Sequence, residues 1–126
     1  MVPLAENNNL SGTIPAEIGV LKNLASLTLE QGEISGQIPT SIMHLSKLVI
    51  IDLDYQRLTG TIPDGIYSLS NLAELDLNGN QLIGSISTQI GNLSALYFIQ
   101  LQDNKMTGTL PTELGLLKDL CKWIDE

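Results

Sequence analysis

The sequence predicts an α/β solenoid of about five coils, because apolar residues, glycine and proline recur with a period of 24 residues. The column that shows the period most clearly is Leu10, Ile34, Leu58, Leu82 and Met106. Glycine follows two positions later in every coil, at Gly12, Gly36, Gly60, Gly84 and Gly108. A period in this range is typical of repeat proteins in which each unit packs only on its neighbours.

Each coil contains the pattern of a strand and of a short helical segment. The run Leu75-Asp76-Leu77 alternates apolar and polar residues, which predicts a strand with one buried face. The spacing of Ile18, Leu21 and Leu24 is nearly helical but covers only about two turns, so it predicts a short helix or 3₁₀ segment. Strand and segment therefore bury their apolar residues against the adjacent coils.

Composition excludes several classes of protein. The net charge of −8 disfavours nucleic acid and anionic membrane surfaces as partners. The one cysteine, Cys121, excludes an internal disulfide bond and a zinc site made of several cysteines. No apolar run approaches the roughly 20 residues of a membrane span, so direct membrane insertion is not expected.

The chain is expected to form one domain over residues 1–126, as a fragment of a longer array or as an uncapped one. Met1-Val2-Pro3 enters the pattern in the middle of a repeat, and the start shows no signal-peptide pattern. Open strand edges at the two ends of such an array allow self-association.

The repeat resembles the plant-type leucine-rich repeat (LRR). Residues 69–80, followed by Leu82-Ile83-Gly84, are a nearly full copy of the pattern Leu-x-x-Leu-x-x-Leu-x-Leu-x-x-Asn-x-Leu-x-Gly. The resemblance covers essentially the whole chain. It implies a right-handed superhelix with a parallel sheet on the concave face, short helical or 3₁₀ segments on the convex side, and a second short sheet.

The same resemblance implies a class of function and a location. Such repeats occur in ectodomains of plant receptor-like kinases and receptor-like proteins and in polygalacturonase inhibitors, where they bind peptides, proteins or other ligands. An extracellular or cell-surface location is what the resemblance implies. The sequons at Asn9 and Asn92 are candidate glycosylation sites.

Two positions depart from the asparagine column of the family. That column reads Asn8, Gly32, Gln56, Asn80 and Asn104. The resemblance implies that the asparagine points inward and bonds to backbone groups of the adjacent coil. Gly32 has no side chain for this role and Gln56 is one methylene longer, so we expect weaker turns there.

Strand alternation predicts a ligand-binding concave face. Its expected members are Glu30, Ile50, Asp52, Asp54, Tyr55, Glu74, Asp76, Asn78, Phe98, Gln100 and Gln102. Asp52 beside Asp76, and Glu30 beside Asp54, would place like charges together, which a basic partner would relieve. Tyr55, Ile50 and Phe98 would supply apolar anchors.

Other interpretations of the acidic positions stay open. They are typical of solvated strands, and they would also suit a divalent cation, although no Asp-x-Asp-x-Asp-Gly loop accompanies them. No metal, cofactor or catalytic residue is assigned, because His44 is the one histidine and no nucleophile accompanies it.

The function predicted from the sequence is that of a non-catalytic binding module for a basic or neutral protein or peptide. The resemblance implies that this module is the ligand-recognition part of a cell-surface receptor-like protein. An enzyme-inhibitor-like role and a purely structural repeat are alternatives. Ice binding is a further alternative, because Ser11-Gly12-Thr13, Thr59-Gly60-Thr61 and Thr107-Gly108-Thr109 form a repeated hydroxyl pattern.

Overall fold

The computed structural model describes residues 5–6, 10–120 and 122–124. The strands in this part of the chain are β1 (Ala5–Glu6), β2 (Ser11–Thr13), β3 (Ser26–Glu30), β4 (Glu33–Gln37), β5 (Ile50–Asp52), β6 (Arg57–Thr59), β7 (Glu74–Asp76), β8 (Phe98–Gln100) and β9 (Lys122–Ile124). The 3₁₀ segments are Ala16–Val20, Thr40–His44, Asp64–Ser68, Thr88–Asn92 and Thr112–Leu116. Each 3₁₀ segment begins 24 residues after the last, so the period of the sequence is the period of the structure.

The strands form two parallel sheets. The main sheet has the order β1-β3-β5-β7-β8-β9, and the second sheet has the order β2-β4-β6. In the main sheet, Ile51 is in register with Leu75, and Leu75 with Ile99, so equivalent positions of successive coils lie side by side. This arrangement is the LRR solenoid that the sequence predicts.

The core lies between the main sheet and the 3₁₀ segments and is built from the predicted apolar columns. Leu27, Ile51, Leu75 and Ile99 are fully buried below the main sheet. Leu21 and Leu110 are 45% and 43% exposed, although Leu45 and Leu69 in the column of Leu21 are buried. Burying a leucine or isoleucine contributes about 1.5–3 kcal/mol, and in a solenoid it requires a coil on each side.

Inward-facing amides join adjacent coils. The side chain of Asn80 accepts a hydrogen bond from the Leu58 N–H at 3.0 Å and donates to the carbonyl of Leu53 at 2.8 Å. Asn104 repeats the pattern one coil later, accepting from the Leu82 N–H and donating to the carbonyl of Leu77. Asn80 and Asn104 therefore bond to the backbone of the preceding coil, as the resemblance implied for the asparagine column.

Gln56 makes the same two inter-coil bonds despite its extra methylene. Its Oε1 accepts from the Ile34 N–H at 3.1 Å, and its Nε2 donates to the carbonyl of Leu29. A Cβ on Gly32 would lie 2.8 Å from Gln56 Oε1, so the missing side chain at Gly32 leaves the room that the longer amide occupies. We expected a weaker turn at Gln56. The glycine at position 32 of the preceding coil instead gives the longer side chain room to make both bonds.

Glycine is needed where the second sheet turns. Gly36 and Gly84 have φ of 77° and 82°, a conformation that costs other residues about 1–2 kcal/mol. A Cβ at either position would lie 3.0 Å from a methyl group, that of Thr13 or of Thr61. The threonine of one coil therefore lies over the glycine of the next.

Ser87 replaces the proline that precedes the 3₁₀ segment in the other coils. Its hydroxyl accepts from the Gln89 N–H at 3.1 Å and caps the segment Thr88–Asn92. Its own N–H, which proline lacks, donates to the Tyr67 hydroxyl at 3.5 Å. Burial of Tyr67, which is 3% exposed, raises the pKa of its phenol above 10.0.

The raised pKa of Tyr67 predicts a loss of stability in alkali. The unfolded chain releases this proton first, so the stabilisation is complete below pH 10 and is lost as the pH rises through the folded-state pKa. We expect the free energy of unfolding of Tyr67→Phe to fall less steeply above pH 10 than that of the parent. Urea unfolding at pH 8 to 11 measures this.

Candidate ligand-binding face

The structure brings most of the predicted site residues together on the outer face of the main sheet. In β5 and β7 the central residues Ile51 and Leu75 point into the core, so the flanking residues face outward. The strand register then places Ile50 beside Glu74 and Asp52 beside Asp76. β8 continues the two rows with Phe98 and Gln100. Glu30 ends β3, and its side chain lies outside the described part of the structure.

Three carboxylates form an acidic cluster at the centre of this face. In the acidic cluster, Asp52, Asp54 and Asp76 each present a carboxylate oxygen, and the three oxygens lie within 4.8 Å of one another. Two like charges 4 Å apart repel by about 1 kcal/mol in water and by about 4 kcal/mol near a protein surface. A positively charged group at the cluster would remove this repulsion.

Backbone geometry holds two of these carboxylates in position. Asp52 Oδ1 accepts from the Asp54 N–H at 3.4 Å, and Asp76 Oδ1 accepts from the Asn78 N–H at 3.1 Å. The two bonds are equivalent because they join residues i and i+2 just after β5 and β7. The repeat therefore gives both side chains the same hydrogen bond to the backbone two residues later.

Asn78 lies beside the acidic cluster but is only 4% exposed. Its Nδ2 donates to Asp76 Oδ1 at 2.5 Å and to Gln100 Oε1 at 3.4 Å. Its Oδ1 is buried and accepts no hydrogen bond from the described part of the chain, and the same is true of Gln102 Oε1. Asn78 was predicted to face outward on the ligand-binding face, but the structure buries it, and its side-chain oxygen accepts no hydrogen bond from the described part of the chain.

Tyr55 follows the acidic strand β5 and remains 53% exposed. Its φ is 47°, which is rare for a bulky residue, and its N–H donates to the carbonyl of Asn78 at 3.0 Å. A Cβ on Gly79 would lie 2.6 Å from the Tyr55 ring, so the ring rests on that glycine. An exposed aromatic ring is therefore held against Gly79, which directly follows Asn78 in the sequence.

Tyr97 is a residue of this region that the sequence analysis missed. It precedes β8, is 40% exposed, and donates a hydrogen bond from its hydroxyl to Glu74 Oε1. Its column also contains Ala25, Val49 and Ala73, which gave no sign of a polar contact. Only the pairing of β7 with β8 brings Tyr97 to Glu74.

A second exposed surface runs along the second sheet and its continuation. Its outward-facing side chains form two rows that are polar except at Ile83, and all members are exposed except Ser35, which is half-buried. The first row is Ser11, Ser35, Thr59, Ile83 and Thr107, and the second is Thr13, Gln37, Thr61, Ser85 and Thr109. An exposed ion pair at 3.1 Å, from Arg57 to Glu33, lies between β4 and β6.

The two candidate glycosylation sites differ in what the structure says of them. Asn92 is exposed at the end of the segment Thr88–Asn92, and Ser94 of its sequon is exposed too. Asn9 lies outside the described residues. In the described part of the chain, no helix has the length and hydropathy that crossing a bilayer requires.

The coils, their inter-coil asparagines and the two parallel sheets define a leucine-rich-repeat protein. The leucine-rich-repeat family model matches residues 22–82 and 46–106, so the chain belongs to this family, in its plant type. Comparison with curated protein sequences gives no match.

Solved structures of plant proteins are similar to this chain. The LRR ectodomain of the membrane receptor kinase GASSHO1/SCHENGEN3 from Arabidopsis thaliana, in complex with Casparian strip integrity factor 2, is 40% identical with a TM-score of 0.88. The alignment covers 90% of this chain and 14% of that one, so the chain spans a small part of that ectodomain.

Two further structures differ in the ligand that their names give. The plant peptide hormone receptor RGFR1, in complex with RGF2, is 33% identical with a TM-score of 0.67, over 87% of this chain and 22% of that one. A plant ice-binding protein is 40% identical with a TM-score of 0.78, over 84% of this chain and 34% of that one.

Proposed function

We propose that the chain is a non-catalytic binding module that binds a protein or peptide of basic character on the outer face of its main sheet. The observation that carries this proposal is the acidic cluster, in which carboxylate oxygens of Asp52, Asp54 and Asp76 lie within 4.8 Å of one another. A lysine or arginine of a partner would replace mutual repulsion by charge-assisted hydrogen bonds.

Apolar groups beside the cluster suit a polypeptide better than a small ion alone. Tyr55 is an exposed ring, and Ile50 and Phe98 are half-buried in the row next to Asp52 and Asp76. Aromatic anchors of this kind contribute much of the energy at protein interfaces. Charge would then steer the partner, and the apolar groups would hold it.

The similar structures support a receptor-like role. GASSHO1/SCHENGEN3 and RGFR1 are plant receptors solved with a bound factor or hormone. By analogy with these receptors, we propose that the chain is the ligand-recognition part of a cell-surface receptor-like protein, although it spans only 14% and 22% of those two structures. In this role residues 1–126 are one piece of a longer array.

Charge reversal of the acidic cluster tests the proposal. Fluorescence anisotropy would measure binding of two pools of labelled peptides that have the same scrambled uncharged residues. The charged positions are lysine and arginine in the basic pool and aspartate and glutamate in the acidic pool. We expect the parent chain to bind the basic pool, more weakly at higher salt, and the variant Asp52→Lys/Asp54→Lys/Asp76→Lys to lose at least about 90% of that binding.

A matched variant distinguishes an effect of the acidic cluster from an effect of the net charge of the chain. Glu17→Lys/Asp64→Lys/Glu113→Lys makes the same change in net charge on the 3₁₀ segments, away from the main sheet. It should keep most of the binding. Equal loss in both variants would show that only overall charge matters, and equal binding of both pools by the parent would contradict the basic partner.

Ice binding is a second candidate, and the hydroxyl rows of the second sheet favour it. Eight of the ten positions in the two rows are serine or threonine. Thr13 and Thr61 rest on Gly36 and Gly84 of the next coil, which restricts their motion. The similar plant ice-binding protein supports this candidate as well.

Thermal hysteresis of the purified chain tests the second candidate. If the rows bind ice, Thr61→Tyr should abolish the hysteresis because a large ring breaks the flat row. Ser70→Tyr, at an exposed loop position outside the rows, should leave it unchanged. Absence of hysteresis in the parent chain would remove this candidate and leave the basic-partner proposal untouched.

A further inference from the structure

The outer face of the main sheet has two parts that differ in chemistry. Where the strands begin lies an apolar band, whose members are Val49, Ile50, Tyr97 and Phe98. Val49 and Tyr97 are 38% and 40% exposed, and the other two are half-buried. The acidic cluster lies at the other end of the strands. The face therefore offers apolar contacts along one side and charge along the other.

The strand geometry determines the distance between the two parts. Ile50 and Asp52 are two residues apart on β5, and a strand rises about 3.3 Å per residue, so their rows are about 7 Å apart. Neighbouring strands lie about 4.8 Å apart, so β5, β7 and β8 together span about 10 Å. An extended segment of a partner would cross these strands within about three residues and would have both parts beside it.

Glu74 lies in the same row as the apolar band. The register places it between Ile50 and Phe98, so its charge interrupts an otherwise apolar row. Its Oε1 accepts a hydrogen bond from the Tyr97 hydroxyl. Glu74 is half-buried, and a partly buried acceptor that loses its donor must find another donor or lose free energy. While Tyr97 donates, Glu74 therefore has less need of a basic side chain from a partner.

The surroundings of Glu74 differ from those of the acidic cluster. The cluster holds three carboxylates, each with an oxygen within 4.8 Å of the others, so they repel one another. Glu74 is a single carboxylate with a hydroxyl donor from the neighbouring coil. In the three preceding coils the residues equivalent to Tyr97 are Ala25, Val49 and Ala73, whose side chains have no donor. Tyr97 therefore supplies a hydrogen bond that those coils cannot supply.

We infer that Tyr97 makes this face selective for the order of residues in its partner, because it keeps the apolar band distinct from the acidic cluster. The matching partner is an extended segment in which basic and apolar residues alternate. Successive side chains of an extended segment point to opposite sides, so alternation directs the basic residues to the acidic cluster and the apolar residues to the apolar band. The inference rests on the proposed function and adds the order of residues to it.

A segment of the same composition in another order would fit less well. If its basic residues come first and its apolar residues follow, basic side chains point to both sides and some of them lie over the apolar band. A charged group that loses water against apolar groups is costly unless it is paired. Selectivity then comes from rejection of the wrong order as well as from attraction to the right one.

Two peptides of identical composition test the inference. In the alternating peptide, lysine and leucine follow each other in turn, and in the block peptide all lysines precede all leucines. Fluorescence anisotropy of each labelled peptide with the full chain gives the two Kd values. We expect the parent chain to bind the alternating peptide at least about tenfold more tightly than the block peptide.

The variant Tyr97→Phe removes only the hydroxyl that donates to Glu74. Glu74 would then accept a hydrogen bond from a lysine of the block peptide, so that peptide should bind more tightly and the ratio of the two Kd values should fall below about threefold. Tyr67→Phe is the matched control, because it also removes a hydrogen-bonded hydroxyl, but on the 3₁₀ segment Asp64–Ser68. It should keep the parental ratio.

The outcomes distinguish failure of the inference from failure of the proposed function. Equal affinity of the parent for both peptides, or a parental ratio in Tyr97→Phe, would overturn the inference and leave the basic-partner proposal intact. A fall of the ratio in Tyr67→Phe as well would also overturn it, because the effect would then not depend on the bond to Glu74. Binding of neither peptide would contradict the proposed function and the inference with it.

Discussion

Asn80→Ala should lower the free energy of unfolding by about 3–5 kcal/mol. The side chain of Asn80 is 7% exposed and bonds to four backbone groups, the N–H of Leu58 and the carbonyls of Leu53, Leu77 and Asn78. Alanine removes the bonds to the Leu58 N–H and the Leu53 carbonyl, whereas the carbonyls of Leu77 and Asn78 keep the bonds from Asn104 and Tyr55. Each buried group left unsatisfied costs about 1–3 kcal/mol. Urea unfolding followed by circular dichroism measures the loss.

Two further variants identify the cause of that loss. Asn80→Asp keeps the shape and the acceptor for the Leu58 N–H but places an oxygen against three carbonyls, so it should be at least as harmful as alanine. Gln81→Ala, at the exposed neighbouring position, should change stability by less than about 0.5 kcal/mol. A loss below about 1 kcal/mol for Asn80→Ala would show that the coils do not depend on this amide.

Leu75→Ala should lower stability by about 2–5 kcal/mol. Leu75 is fully buried in β7, and its register partners Ile51 and Ile99 are fully buried on either side. The parallel backbones that carry these neighbours are hydrogen-bonded to one another, so they cannot close the cavity. Because the coils contact only their neighbours, a cavity in a central coil weakens both adjacent interfaces.

The control for Leu75→Ala is the same substitution where no coil covers the side chain. Leu116 is 64% exposed, so Leu116→Ala should cost less than about 0.5 kcal/mol. Denaturant midpoints of both variants, measured beside the parent, make the comparison. Similar losses in the two variants would mean that burial between coils does not determine the effect.

Most of the fold could be predicted from the sequence, because a solenoid is a local structure repeated. The alternation around Leu75 predicted the strand that is observed there. The near-helical spacing from Ile18 predicted a segment of about two turns, and the 3₁₀ segment Ala16–Val20 contains Ile18 but ends before Leu21. A fixed period then determines which residues become neighbours across the sheet, as the register of Asp52 with Asp76 confirms. The glycine that recurs at Gly36 and at equivalent positions indicated a special backbone conformation, and the structure has a left-handed backbone there in each coil.

The outward placement of Asp52 and Asp76 was predictable, but the detailed geometry around them was not. Alternation placed Asp52 and Asp76 on the outward face, and the structure agrees. It could not show that Asn78 is buried with an unused oxygen, because burial depends on the side chains of three adjacent coils. Nor could it show the bond from Tyr97 to Glu74, which joins residues at non-equivalent positions of two coils.

By itself the sequence determined the solenoid, its sheets and the face on which the carboxylates lie, since these follow from periods of 2 and 24 residues along the chain. Only the tertiary structure decided how close three carboxylates come and how Gln56 fills the space beside Gly32. The physical reason is that these contacts join side chains of different coils. Their distances depend on side-chain length and on the packing of one coil against the next, and no period encodes either.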